Sequence, residues 1–316
     1  MEECFGVQIS FNTINGKINT VNINERNTGM IQLTIAMLLS GTIGYFVVES
    51  GQTPINVVLA RCVIGSVFLI IYCLYAKLFS KSYLTSKNIG LLIIVGLSIV
   101  LNWIALFSSY KYASIGVATT IYHVAPFIVF FGGAFLFKEG FSKSRLIWLF
   151  TAFAGVILIG DPENQKISVE KSYILGCGLA LIAATLYAMA TLASKFIKNV
   201  PPHVTALSQM LIGVMVLSPF AQFSLYSGTV WQWNCLLILG VVHSAFMYIL
   251  IYASYKKLQT ATIAILSYIY PVVAVIVDYV AFDHVFSALQ IAGGVMILTA
   301  GLCGTLNLNP FMLKKH

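Results

Sequence analysis

The chain is poor in charge. Asp and Glu number 10 and Lys and Arg 18 among 316 residues, 9% together, while 59% are hydrophobic and the mean hydropathy is +0.90. A soluble domain carries about 25% charged residues and could not bury this much apolar surface within its own volume. A soluble globular protein is excluded. Also missing are a Gly-rich phosphate loop, an HExxH pair and a convincing nucleophile–base pair. Those absences argue against nucleotide hydrolysis and against an enzyme generally, since catalysis needs titratable groups that converge. Cys4, Cys62, Cys73, Cys177, Cys235 and Cys303 show no CxxC spacing. They read as small apolar residues rather than disulfide partners or metal ligands. No cofactor and no metal is expected. No cleavable signal peptide is visible, because residues 1–27 are polar and Asn-rich with no long apolar core.

In place of charge the chain has continuous apolar runs of about 20 residues, the length of a helix that crosses a hydrocarbon core roughly 30 Å thick. Strands of a membrane barrel would alternate at period two instead, and nothing but helices or closed barrels can span lipid. We read an all-α integral membrane protein of ten transmembrane helices: 30–49, 54–76, 89–110, 114–137, 144–160, 173–195, 203–223, 232–254, 260–281 and 287–306. Residues 1–29 form a polar tail that need not belong to the native start, since Met30 opens the first span. Residues 30–160 and 173–306 form two five-helix units, 161–172 joins them, and 307–316 is a second tail.

The net charge of +8 suggests a nucleic acid, but its placement removes that need. With the N-terminus inside, Lys111, Lys166 and Lys171 lie outside, Arg61 lies within a span, and every other Lys and Arg lies inside. This bias puts both termini in the cytoplasm and explains the charge without a nucleic-acid partner.

The second unit repeats the first. At an offset of 145, Tyr110 falls on Tyr255, Lys111 on Lys256, and Pro126 on Pro271. An offset of 148 sets Pro54 on Pro202 and Gly65 on Gly213, and 146 sets Ala154-Gly155 on Ala300-Gly301. Five spans per copy insert the second upside down, so these are two inverted five-helix repeats, the build of a secondary transporter whose site lies between the copies. Small residues at four-residue steps, Gly176, Ala180, Ala184 and Ala188 in span six and Ala36, Ser40 and Gly44 in span one, suit close helix approach in lipid.

The candidate site follows from the interruptions and from the costly polar groups inside. Pro126 and Pro271 break spans four and nine at matching places and free backbone carbonyls. Tyr122 and His123 precede the first; Ser267, Tyr268 and Tyr270 precede the second. His123 suits a substrate hydrogen bond, a proton-coupling role or a structural bond to a neighbouring carbonyl. Trp103 maps onto Tyr248; the pair forms either cavity walls with a polar handle each or a lipid-facing surface. His243 lies in the first half of span eight. Arg61 can snorkel outward to a solvated head or to a pair with Glu49, and Asp278 either bonds a neighbouring helix or carries a proton. Glu139 and Asp283 read as ordinary interface charges. A phosphate cargo would want several buried cations, and only Arg61 is available.

Arg61 in span two, SSYKYASIGVATTIYHVAPF followed by FLFKE, and AGVIL at the close of the first unit make the chain resemble the drug/metabolite transporter superfamily, specifically its EamA-type ten-helix permeases. Lys138-Glu139 stands where that family has Gly-Glu; in the second unit His284 replaces Glu139 and Gln209 replaces Arg61. The resemblance implies alternating access, a cavity lined by spans three, four, eight and nine, and a bacterial inner membrane. The function expected is movement, by export, of a small neutral or zwitterionic metabolite such as an amino acid. Alternatives are uptake of a nucleoside-like or S-adenosyl compound stacked on the aromatic walls, and, in another class, a membrane enzyme or sensor. The partners implied are the small-molecule substrate and the bilayer; the oligomeric state stays open.

Overall fold

The computed structural model describes residues 23–83, 85–109, 112–113, 115–160, 171–220, 228–282 and 287–309, without the side chains of Ile23, Ile115, Gly116, Lys171, Asp278 and Phe282. The first unit comprises α1 (Ile23–Glu49), α2 (Pro54–Tyr75), α3 (Ser86–Ser109), α4 (Ile115–Tyr122), α5 (Ala125–Leu136) and α6 (Lys143–Ile159). The second comprises α7 (Lys171–Phe196), α8 (Pro202–Leu217), α9 (Val230–Gly240), a π-helical turn (Val241–Phe246), α10 (Met247–Tyr255), α11 (Thr260–Leu266), α12 (Ile269–Phe282) and α13 (Ala288–Thr305). Among the described residues nine helical stretches are long and apolar enough to cross a membrane. The tenth expected span is α6, whose 17 residues reach about 25 Å at 1.5 Å per residue.

Helix starts follow from local chemistry. Thr53 caps α2, its hydroxyl accepting from Asn56 N–H, with Pro54 at the first position where its missing N–H is harmless. Thr229 with Gln232 and Ser287 with Gln290 form reciprocal capping boxes at α9 and α13. α1 begins seven residues before the expected start at 30, so residues 23–29 are helix rather than tail. That extra length packs against protein. Arg26 Nη2 donates to Thr305 O at 2.7 Å, and a Cβ on Gly29 would lie 2.9 Å from the Lys257 Cβ. Both ends of the described chain thus meet at one face, here called the terminal face. The expected inter-repeat loop 161–172 falls mostly outside the described residues.

The two units are inverted. α2 packs on α8, its repeat mate. Gly65 abuts Met210 and Gly213 abuts Cys62. As one number rises by three its partner falls by three, the register of antiparallel helices. α6 and α13 repeat the pattern: Gly155 and Gly293 are so close that a Cβ on either would come within 2.6 Å of the other's carbonyl oxygen. Lipid tails are as apolar as leucine, so these contacts hold by close backbone approach rather than by a hydrophobic drive. The stripe in α7 does this work, with Ala180, Ala184 and Ala188 buried, and it packs on α3. In α1 the tight contact sits at Gly41, against Val273 and the Tyr270 carbonyl, whereas Gly44 has open space around it.

Spans four and nine are each cut in two. α4 ends at Tyr122 and α5 starts at Ala125; α11 ends at Leu266 and α12 starts at Ile269. The breaks match to within one residue under the repeat offset, each lying just ahead of its proline.

Candidate functional site

Residues that are mates under inverted symmetry touch each other only on the symmetry axis. Two mate pairs do so. The Trp103 and Tyr248 rings lie edge to face with centroids 5.9 Å apart, and the Tyr268 hydroxyl donates to the His123 carbonyl oxygen at 2.8 Å. The pseudo-twofold axis therefore runs through the sequence-expected site. Trp103 and Tyr248 are both buried, so neither ring lies on the outer surface of the bundle.

His123 is held by the break. Its Nδ1 lies 2.5 Å from Thr119 O in the preceding turn. A carbonyl only accepts, so Nδ1 carries the hydrogen and Nε2 presents a lone pair. That Nε2 is buried and finds no protein partner. The ring stacks on Tyr270 at 4.9 Å and on Tyr268 at 5.8 Å, and the residue is 3% exposed. Tyr122 turns the other way. Its hydroxyl accepts from Asn102 Nδ2 at 3.3 Å, while the same amide donates to Ala183 O at 2.7 Å and so ties α3 to α7. Pro126 and Pro271 serve as breakers beside these rings.

His243 lies on the π turn, an element that no periodicity in the sequence marks. Its Nδ1 lies 3.4 Å from Ile238 O, a carbonyl that only accepts, so Nδ1 carries the hydrogen and Nε2 accepts the Thr42 hydroxyl at 2.8 Å. The ring clamps α1 to the π turn, with both nitrogens engaged by protein.

Arg61 departs from its expectation. It is 1% exposed, its Nε donates to Ser244 Oγ at 2.9 Å, and its guanidinium carbon stands 4.8 Å over the Trp103 ring. It neither snorkels nor meets Glu49, whose Oε2 accepts from Trp231 Nε1 at 2.8 Å. The π turn explains this: it lets Ser244 donate to Leu239 O, five residues back, at 2.8 Å and turn its remaining lone pair toward Arg61. The Asp278 side chain lies outside the described residues.

Several participants escaped the sequence reading. Tyr187 meets Tyr255 hydroxyl to hydroxyl at 3.1 Å. Gln209 is fully buried and accepts the Tyr252 hydroxyl. Polar atoms deep inside an apolar span were their signal. Glu139 is no ordinary interface charge. Its Oε1 accepts from Lys195 Nζ at 2.9 Å, and its Oε2 accepts from Thr260 N at 2.7 Å and Thr260 Oγ1 at 2.6 Å. This is the ion pair found among the described residues, and it latches α5 of one repeat to α7 and α11 of the other at the terminal face. Two apolar clefts of about 330 and 200 Å³ lie away from the axis, one between α3, α5 and α7, the other between α6, α12 and α13. Among the described residues no group of His, Cys, Asp and Glu could hold a metal.

Comparison with known proteins agrees with the duplication. The profile of the EamA-like transporter family matches residues 27–160 and again 174–305. An uncharacterized transporter of Bacillus subtilis, YxxF, is 28% identical over 290 residues, 91% of this chain and 92% of its own. An uncharacterized transporter of Archaeoglobus fulgidus is 25% identical over 274 residues, 87% of this chain and 95% of its own. One crystal structure superposes with a TM-score of 0.77 over 89% of this chain and 99% of its own; at 18% identity that likeness speaks for the fold alone. Two matched units, inverted about a polar aromatic centre within apolar spanning helices, make this chain a multi-pass membrane transporter and a member of the EamA-like transporter family of the drug/metabolite transporter superfamily.

Proposed function

We propose that this transporter is a secondary carrier that moves a small neutral or zwitterionic metabolite, an amino acid or a related compound, by alternating access. It works as an exporter in a bacterial inner membrane with its terminal face in the cytoplasm. Helix alternation supports the orientation: Arg26, Lys77, Lys138, Lys143, Lys195 and Lys256 all gather at that face.

The observation that carries the reading is the buried, unpartnered His123 Nε2, set at a helix break on the axis between the repeats. A lone pair left unpaired there is unfavourable and suits a cargo that brings an N–H or O–H. Sliding one repeat against the other turns the same site from one face to the other. Trp103 and Tyr248 pack against each other, so no open ring face favours a stacked nucleoside-like cargo.

Counterflow of labelled amino acids in proteoliposomes is the test. His123→Ala should lower exchange at least tenfold while the protein stays monodisperse. Wild-type exchange in that variant would remove His123 from the site.

A further inference from the structure

Among the described residues Arg61 is a buried cation with no anion beside it. Its Nε bond to Ser244 and the Trp103 ring occupy one donor and one face of the guanidinium. A guanidinium has five donors, and the bond from Nε to Ser244 is the hydrogen bond described for them. The carboxylates with described side chains are elsewhere. Glu139 is on Lys195 and Thr260, Glu49 is on Trp231, and Glu25 is in the first turn of α1. The one ion pair among the described residues does not involve Arg61. A cation in a membrane interior is expensive and marks function by default, and a cation–π contact alone does not repay its desolvation.

The surroundings show what would. Gln209, the repeat mate of Arg61, is also fully buried, and its Nε2 has no partner while its Oε1 is occupied by Tyr252. The unused capacity on this side of the axis is therefore donor only: guanidinium Nη groups and an amide NH2. The matching chemistry is a planar group that only accepts and carries one negative charge. A carboxylate meets the guanidinium fork bidentately. A phosphate dianion would leave charge unbalanced beside a lone cation.

We infer that Arg61 is the cargo's carboxylate anchor, with Gln209 as a second donor, so that the transported solute is a monocarboxylate. The inference rests on the carrier reading above and narrows its substrate class. Ser244 and the π turn are positioning elements that aim the guanidinium.

The experiment uses purified full-length protein and matched probes: leucine, methionine, threonine and phenylalanine, each with its amide, its decarboxylated amine and its des-amino acid. Binding is read by thermal shift and exchange by counterflow in proteoliposomes. At least one acid should bind and exchange, its amide and amine at least tenfold more weakly. Arg61→Gln should weaken that acid by ten- to a hundredfold and leave the amide unchanged, erasing the preference. Arg61→Lys should recover part of it, since the charge stays while the fork is lost. Wild-type protein alone decides the matter if Arg61→Gln fails to fold, because the acid–amide comparison needs no variant. An amide or amine that exchanges as well as its acid overturns the anchor while the carrier stands. So does a folded Arg61→Gln protein that keeps the preference. Absence of binding and exchange for every probe overturns both.

Discussion

Glu139→Gln removes the charge from the terminal-face latch while keeping its shape. The carboxylate accepts three bonds, one from Lys195 and two from Thr260. A glutamine oxygen can still take both Thr260 donors, but its NH2 then faces the Lys195 ammonium, donor against donor. Breaking a fully buried pair costs about 3–5 kcal/mol. Here the Lys195 and Glu139 side chains are 11% and 17% exposed, and water at the edge softens the loss to about 2 kcal/mol. Because the latch joins the two repeats, the loss would fall, in the proposed alternating access, on the state closed at this face. At about 1.4 kcal/mol per decade, 2 kcal/mol shifts the closed–open ratio roughly 30-fold. The reporter is Ala264→Cys, buried one turn beyond Thr260, in protein whose native cysteines have been replaced. A charged maleimide added at the terminal face should label it about thirtyfold faster in Glu139→Gln, in the limit of fast exchange. A labelling rate within twofold of the parent, with an unchanged melting temperature, would refute the latch.

Gly133→Ala attacks the same closure sterically: the new Cβ would lie 1.7 Å from Thr260 Oγ1, so α5 and α11 must part, lowering stability by about 1–3 kcal/mol, read as a lower melting temperature with faster Ala264→Cys labelling. Tyr268→Phe deletes the bond to the His123 carbonyl and leaves ring stacking intact; a loss of about 1–2 kcal/mol in thermal stability, with exchange reduced but present, is the expected result.

Much of the architecture was legible because membrane helices declare themselves by length and apolarity, and because the duplication survives in Pro126/Pro271, Gly65/Gly213 and Trp103/Tyr248. The prolines located both breaks, and the mate pairs located the axis. What stayed hidden depends on which way a side chain turns. Arg61 sits two turns inside α2, where a snorkelling head and a buried one have the same sequence. The π turn that receives it is one extra residue in a helix of uniform hydrophobicity, which no period reveals. Glu139 looked ordinary because its partners lie 56 and 121 positions away in sequence. The N-terminal residues 23–29 looked like tail because polar helix that packs only on protein ends carries no apolar signature.

The latch also breaks the symmetry on which the proposed alternating access would depend. The repeat offsets set His284 against Glu139, Val47 against Lys195 and Ile115 against Thr260. The backbone can thus run the inverted motion, but closure at the Glu49 face has no equivalent ion pair to draw on. On the alternating-access reading proposed above, the two closed states would differ by about the worth of the latch, roughly 2 kcal/mol, in favour of closure at the terminal face. If the three groups act as one unit, Thr260→Val, which removes one hydroxyl donor and keeps the backbone N–H, should cost most while the carboxylate is present, because a hydrogen bond to a charged acceptor is about twice as strong as one to a neutral amide oxygen. Combined with Glu139→Gln it should cost less than alone, giving a coupling of about 1 kcal/mol in a double-mutant cycle of labelling rates. Strict additivity of the two substitutions would mean that Lys195, Glu139 and Thr260 act independently, and the energetic asymmetry between the faces would then need another source.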